Sequence, residues 1–305
     1  MKKFKLLSLL AFFALSSFFF VGCEEEDDNP VSAGKPIPAA PTKLRATSGS
    51  GTSVLLRWDK SDSEDSLWFA GYELTITGGN PIAPKSLSKA QPYEVTGLEA
   101  GVVYTFTLKA VNTDNKTSNG STSVTWSPAQ RFETEDIKMY VYESTNGSGL
   151  SLYDATNKKP MTLKATDKAK WHLGFDNRNG KYMFGPAAGI NIGTAAPTAT
   201  VEMSDEYWEA DAFNSIFLPT LSAPDKSDLS KMTFSAEPYD LKELNSSNGL
   251  VFIVRVKEAG SNNWNYAKVM VVRGQTGFLQ GSGANAYIQL KVSYQTVANV
   301  PYAKQ

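Results

Sequence analysis

The chain has one cysteine and one histidine, and this scarcity excludes several kinds of site. One thiol cannot form an internal disulfide, and zinc sites built from cysteine and histidine need more ligands than the chain holds. A nucleophilic triad would have to use His172 as its base, and no Gly-x-Ser-x-Gly motif surrounds a serine. We therefore predict that the protein is not an enzyme, with no catalytic residues and no metal site.

Excess charge of one sign is also missing. The 30 basic and 31 acidic residues leave a formal net charge of −1, which argues against broad attraction to nucleic acid. No long amphipathic helix pattern occurs. Strand-forming Thr, Val, Tyr and Phe recur throughout, separated by glycine-containing turns. The sequence predicts a mostly β protein without a nucleic-acid partner.

The single cysteine, Cys23, follows a secretory signal. Lys2, Lys3 and Lys5 form a positive segment, and residues 6–20 form an apolar run. That run is too short to span a bilayer, which needs roughly 20 helical residues. A chance cysteine after an ordinary secretory signal, or an uncleaved membrane anchor, is the alternative interpretation.

The arrangement around Cys23 resembles the lipobox of bacterial lipoproteins, and the acidic residues 24–28 resemble the surface-export signal of Bacteroidetes lipoproteins. Phe20 replaces the leucine usual in that motif. The resemblance implies that residues 1–22 are a signal peptide and that Cys23 carries palmitate. It also implies anchorage in the cell outer membrane, facing the exterior. Residues 23–40, acidic and then proline-rich, are predicted to be an extended tether.

Strand signals recur at short intervals over residues 41–135, as in a β-sandwich. Trp58 ends an apolar strand, residues 72–76 alternate polar and apolar side chains, and Tyr104 follows Leu98 with the spacing of a tyrosine corner. The segment resembles a fibronectin type III domain, and this resemblance implies a disulfide-free sandwich that serves as a spacer or binding module. It is carried by Pro41, Trp58, Tyr72, Leu98, Tyr104, Ala110 and Asn112.

The sequence predicts a second, larger β-rich domain over residues 136–305. In this domain, residues 250–254 and 267–272 are apolar enough to be central strands. Within residues 171–175, alternation predicts that Trp171, Leu173 and Phe175 face one core, with His172 on a partly exposed strand position.

The order of these parts resembles the HmuY family of outer-membrane haem-binding lipoproteins. The resemblance is carried by residues 171–175, 177–180, 252–255, 262–263 and 266–269.

The HmuY resemblance implies haem as a cofactor, but the histidine pair of that family is missing, and His172 stands where the family usually has aspartate. Haem iron also accepts methionine ligands, so Met203 and Met232 are the candidates. Core packing is the alternative role for both methionines.

Three functions therefore remain open. The first is a surface lipoprotein whose C-terminal domain captures haem or another nutrient, and the second is an adhesion or scaffold protein that binds protein ligands. The third is carbohydrate binding on Trp208 or Trp264. Paired carboxylates for glycoside hydrolysis have no local signature. Glu206, Glu209 and Asp211 form the one such cluster, and we interpret it as a turn with a solvated edge.

Overall fold

A computed structural model describes residues 34–132, 135–209 and 232–300 and the backbone of Ala303–Lys304. The described residues from Lys35 onward form one compact unit. The predicted signal peptide, Cys23, the acidic run and Asp211 lie outside the described residues.

The first part of this unit is a sandwich of two antiparallel sheets. One sheet has the order β1-β2-β5, and the other has the order β22-β7-β6-β3-β4. The strands are β1 (Thr42–Ser50), β2 (Ser53–Asp59), β3 (Phe69–Thr77), β4 (Ile82–Leu87), β5 (Tyr93–Val95), β6 (Tyr104–Asn112), β7 (Thr122–Trp126) and β22 (Ala303–Lys304).

Alternation decides which side chains fill this sandwich. Along β6, every second residue from Tyr104 to Asn112 is buried, as expected for a strand with one face on a core. Trp58 is buried and meets the edge of Tyr72, with ring centroids 5.2 Å apart. The hydroxyl of Tyr104 accepts a hydrogen bond from the backbone N–H of Glu99 at 2.9 Å. The predicted tyrosine corner is therefore confirmed.

The second part contains two further sheets. The smaller has the order β11-β10-β12-β13-β17, and the larger has β16-β14-β18-β19-β21-β20, with β15 paired to β18 and both β8 and β9 paired to β21. The strands are β8 (Gln130–Arg131), β9 (Ile137–Tyr140), β10 (Gly149–Asp154), β11 (Lys159–Leu163), β12 (Leu173–Asp176), β13 (Met183–Pro186), β14 (Thr200–Ser204), β15 (Trp208–Glu209), β16 (Phe234–Ser235), β17 (Tyr239–Asp240), β18 (Gly249–Lys257), β19 (Asn265–Val272), β20 (Leu279–Gln280) and β21 (Tyr287–Tyr294). Short 3-10 turns lie at Ala165–Lys170, Arg178–Gly180, Ala187–Gly189 and Gly283–Asn285.

The two central strands predicted from apolar composition are present as β18 and β19. Phe252 and Val254 of β18 pack into the core that the two sheets share, where the rings of Phe184 and Phe252 lie 5.8 Å apart. Ile253 points the other way, into the core of the first sandwich. Both faces of β18 are thus buried, which explains its continuous apolar run.

The prediction of one core for residues 171–175 is wrong for Trp171. Leu173 and Phe175 join the main core, whereas Trp171 packs in a separate small cluster with Ile190 and neighbouring residues. Trp171 lies against β10, where a methyl group on Gly149 would come 1.9 Å from its Cε2 atom. The missing side chain at Gly149 makes room for the indole ring.

Strands also cross the boundary predicted near residue 135. β8 pairs with β21, and β22, at the end of the chain, pairs with β7. The two predicted segments therefore share sheets as well as an apolar core.

Candidate functional site

The outer face of the larger sheet meets the first sandwich in a contact region that we call the junction. It comprises Lys268, Ser293 and Gln295 on one side and Trp126 and residues 127–131 on the other. Lys268 of β19 is fully buried, and its Nζ lies 4.2 Å from the centre of the Trp126 ring. Burial, with a smaller contribution from the positive charge of Arg131, lowers the pKa of Lys268 well below its ordinary value.

Polar side chains form hydrogen bonds across the junction. Nε2 of the fully buried Gln295 donates to Ser127 Oγ at 3.1 Å and to the Pro128 carbonyl at 2.8 Å. Ser293 Oγ donates to the Gln130 carbonyl at 2.9 Å. Buried hydrogen bonds of this kind are directional, so they define one relative placement of the two parts.

A polar cleft of about 410 Å³ lies at one end of the second part. Its walls come from the end of β10, the turn Ala165–Lys170, the residue after β18, the start of β19 and the end of β21. The side chains that line it include Ser151, Tyr153, Lys170, His172, Glu258 and Tyr294.

His172 forms the back of this cleft. Its Nδ1 accepts the backbone N–H of Leu152 at 3.1 Å, so the ring proton lies on Nε2, which is 3.1 Å from Glu258 Oε1. The hydrogen bond from His172 lowers the pKa of Glu258, against an opposing effect of burial. The predicted partly exposed strand position is wrong. His172 is only 4% exposed and lies one residue before β12, where its backbone N–H binds the Leu150 carbonyl.

Two tyrosines form a second wall. The rings of Tyr153 and Tyr294 are stacked, with centroids 5.1 Å apart and planes within 4°. Tyr294 is 4% exposed, and burial raises the pKa of its hydroxyl, with smaller contributions from Glu258 and Tyr153. Among the described residues, neither tyrosine hydroxyl has a hydrogen-bond partner.

The structure places the two predicted haem ligands in different apolar clusters. Met203 of β14 is buried in the core between the two sheets of the second part, whereas Met232 packs against the core of the first sandwich. Neither methionine lines the cleft. Within the described residues, no three His, Cys, Asp or Glu side chains are grouped so that they could hold a metal ion.

The two tryptophans predicted as sugar platforms are also engaged. Trp208 packs against Val251 and the first core. The ring of Trp264 is covered by Arg255 and Lys257, whose charged groups lie 4.4 and 4.9 Å from its centre.

The nearby carboxylate of Glu209 accepts the backbone N–H of Ser247 at 2.7 Å. The side chain of Glu209 therefore stabilises the turn at Ser247. The backbone of Glu209 is part of strand β15.

Sequence reasoning missed Tyr153, Glu258 and Tyr294. They come from β10, from the residue after β18 and from β21, which are distant in sequence, and none has a local motif. The clean alternation that ends in Tyr294 was the one usable signal, and it indicated a buried strand position without indicating a cleft.

Comparison with known proteins identifies the first part. The sequence model of the fibronectin type III domain matches residues 39–125. A stretch of 89 residues, 28% of the chain, is 33% identical to the striated-muscle M-protein of Gallus gallus, and the match spans 6% of that protein. The protein therefore contains a fibronectin type III domain within a mostly β fold.

Two solved structures are also similar. The FN5 domain of Drosophila Lar is 20% identical, with 30% of this chain and 97% of that chain covered and a TM-score of 0.24. A structure of titin kinase and its flanking domains is 10% identical, with 87% and 38% covered and a TM-score of 0.24. In the described part of the chain, no helix is both long and apolar enough to cross a membrane.

Proposed function

We propose that this protein is a non-enzymatic scaffold at the cell surface, anchored in the outer membrane through Cys23 and facing the exterior. In this proposal the fibronectin type III domain packs rigidly against the second β region and holds it in one orientation. The acidic and proline-rich residues 23–40 carry the unit away from the lipid.

The observation that supports the scaffold most strongly is the buried junction. A domain that served only as a flexible spacer would expose a wet, polar surface to its neighbour. Here Lys268 is buried against Trp126, and Gln295 is buried against Ser127. Burying such groups is costly unless they are held in a defined arrangement. The match to a muscle M-protein supports a protein-binding or scaffold role for the same domain.

Haem capture has less support. The resemblance to haem-binding lipoproteins motivates it, but among the described residues Met203 and Met232 belong to separate apolar clusters, which does not support a shared site for two thioether ligands. We therefore do not include haem in the proposal.

Two measurements test the scaffold. On intact cells, external protease or an impermeant biotin reagent should reach the wild-type protein, while a periplasmic control protein stays protected. In scanning calorimetry, the purified full chain should unfold in one transition. Protection from the external reagents would contradict the surface location. Two independent transitions would contradict rigid packing between the fibronectin type III domain and the second β region.

A further inference from the structure

We infer that the cleft beside His172 is a binding site for a small, uncharged, hydroxyl-rich ligand, such as a terminal sugar ring of a glycan. This goes beyond the scaffold role, which requires no ligand in the second β region. It also differs from the platform on Trp208 or Trp264 that the sequence predicted.

The hydroxyl of Tyr294 is the first reason. A phenylalanine would keep the stack with Tyr153 and fill the same space, so the hydroxyl itself is not needed for packing. The ring is buried, but the hydroxyl oxygen is not fully shielded from solvent, so it opens onto the cleft. Tyr294 is 4% exposed, lines the cleft and finds no partner among the described residues. A ligand group in the cleft would provide that partner.

The pairing of Glu258 is the second reason. His172 donates to one carboxylate oxygen, Oε1, and so orients the side chain. The other oxygen has no hydrogen bond within the described structure, and the side chain is 51% exposed. Glu258 therefore presents an oriented acceptor to whatever enters the cleft.

The charges of the cleft disfavour a strongly charged ligand. Asp154 already accepts the backbone N–H groups of Thr156 and Asn157 at 3.1 and 2.7 Å. Asp154 keeps its negative charge, so the cleft carries the two carboxylates of Asp154 and Glu258 against the one ammonium of Lys170. Lys170 acts on Asp154, which leaves an excess of one negative charge. This excess has the wrong sign for a phosphate and is small for a polyamine that carries several positive charges.

The remaining wall is rich in hydroxyl groups. Ser151, Tyr153, Thr296 and Tyr294 all line the cleft. Hydroxyls both donate and accept hydrogen bonds, so they complement a ligand whose own groups do the same. The volume of about 410 Å³ lies near the small end of the usual range for ligand pockets, roughly 300–1,000 Å³. A sugar ring satisfies both the chemistry and the size.

Saturation-transfer difference NMR of the purified full chain tests this inference. The probes are D-galactose, D-mannose, D-glucose and N-acetyl-D-glucosamine, with spermidine and inorganic phosphate as charged comparison probes. At least one sugar should receive saturation, and a titration of that sugar should give a Kd. No transfer to any sugar, or tighter binding of spermidine or phosphate, would overturn the inference.

Matched variants locate the binding. Tyr294→Phe removes one hydroxyl and should weaken sugar affinity about three- to tenfold, as expected for one lost hydrogen bond. Tyr287→Phe is the control, because Tyr287 is on the same strand but packs against Tyr140 outside the cleft. Glu258→Gln should also weaken binding. Both tyrosine variants should melt like the wild type. Unchanged affinity in Tyr294→Phe, or equal losses in the two tyrosine variants, would contradict this site.

Discussion

The side chains of Lys268 and Trp126 meet across the segment boundary predicted near residue 135, with the lysine nitrogen 4.2 Å from the ring centre. Lys268 belongs to a central strand of the second β region, and Trp126 ends β7 of the first sandwich, one residue after the matched fibronectin type III segment. The amine packs on the ring face with water excluded, and this burial lowers the pKa of Lys268 well below its ordinary value. This contact makes the junction part of the folded core.

Lys268→Met should remove a pH dependence of stability. The pKa of Lys268 is lowered in the folded state, so the unfolded chain binds the extra proton between that lowered value and the ordinary 10.5. Wild-type stability should therefore rise as pH increases through this window, and the variant should lack that rise. Urea denaturation from pH 7 to 10 measures the difference.

The exposed-lysine variant Lys116→Met is the control for this experiment. It should keep the wild-type slope of stability against pH. Parallel slopes for all three proteins would mean that Lys268 is charged in the fold to the same extent as in the unfolded chain.

Trp58→Ala should destabilise the whole compact unit. Trp58 is buried against Tyr72, and truncating a buried tryptophan costs about 3–5 kcal/mol. Because Ile253 of the second region packs in the same core, the loss should lower one common transition in scanning calorimetry. Trp68→Ala, at a half-exposed loop position, should shift it much less. A second transition that stays at the wild-type temperature would show that the two parts unfold independently.

Glu258→Gln should reduce the loss of stability in acid. The pKa of Glu258 is lowered from 4.5 in the folded state, chiefly by the hydrogen bond from His172. Its contribution is therefore present above about pH 4.5 and disappears as pH falls through the folded value. Denaturation midpoints between pH 6 and pH 3 should fall less steeply in Glu258→Gln than in the wild type. The exposed Glu237→Gln should behave like the wild type, and an equally steep fall in all three proteins would argue against the His172–Glu258 bond.

Cys23→Ala should abolish lipid attachment. The predicted lipobox places acyl chains on this cysteine, and two or more chains anchor a protein stably. Labelled palmitate should enter the wild type and not the variant, which should also run larger because its signal peptide is retained. Labelling of both proteins to the same extent would rule out Cys23 as the site.

The fibronectin type III domain could be predicted because its signals are local. Along a strand such as Tyr104–Asn112, every second side chain is buried, so the buried positions can be predicted from the alternation of neighbouring residues. The tyrosine corner joins residues only five apart. The predicted lipidation of Cys23 rests likewise on a short contiguous motif. The alternation and the tyrosine corner are determined by the sequence itself, since neighbouring residues carry the information, whereas the lipidation of Cys23 stays a prediction.

The junction and the cleft were decided by tertiary structure. The apolar composition of residues 267–272 predicted a central strand, and successive side chains of a strand face opposite ways, so Lys268 faces away from Val269. The sequence does not say what covers that face. Packing across the junction, where Lys268 Nζ lies 4.2 Å from the centre of the Trp126 ring, buries this lysine. In the same way, Tyr153, His172, Glu258 and Tyr294 come from separate segments that meet where the strands of two sheets end. Their chemistry depends on distances across the fold, which no local pattern encodes.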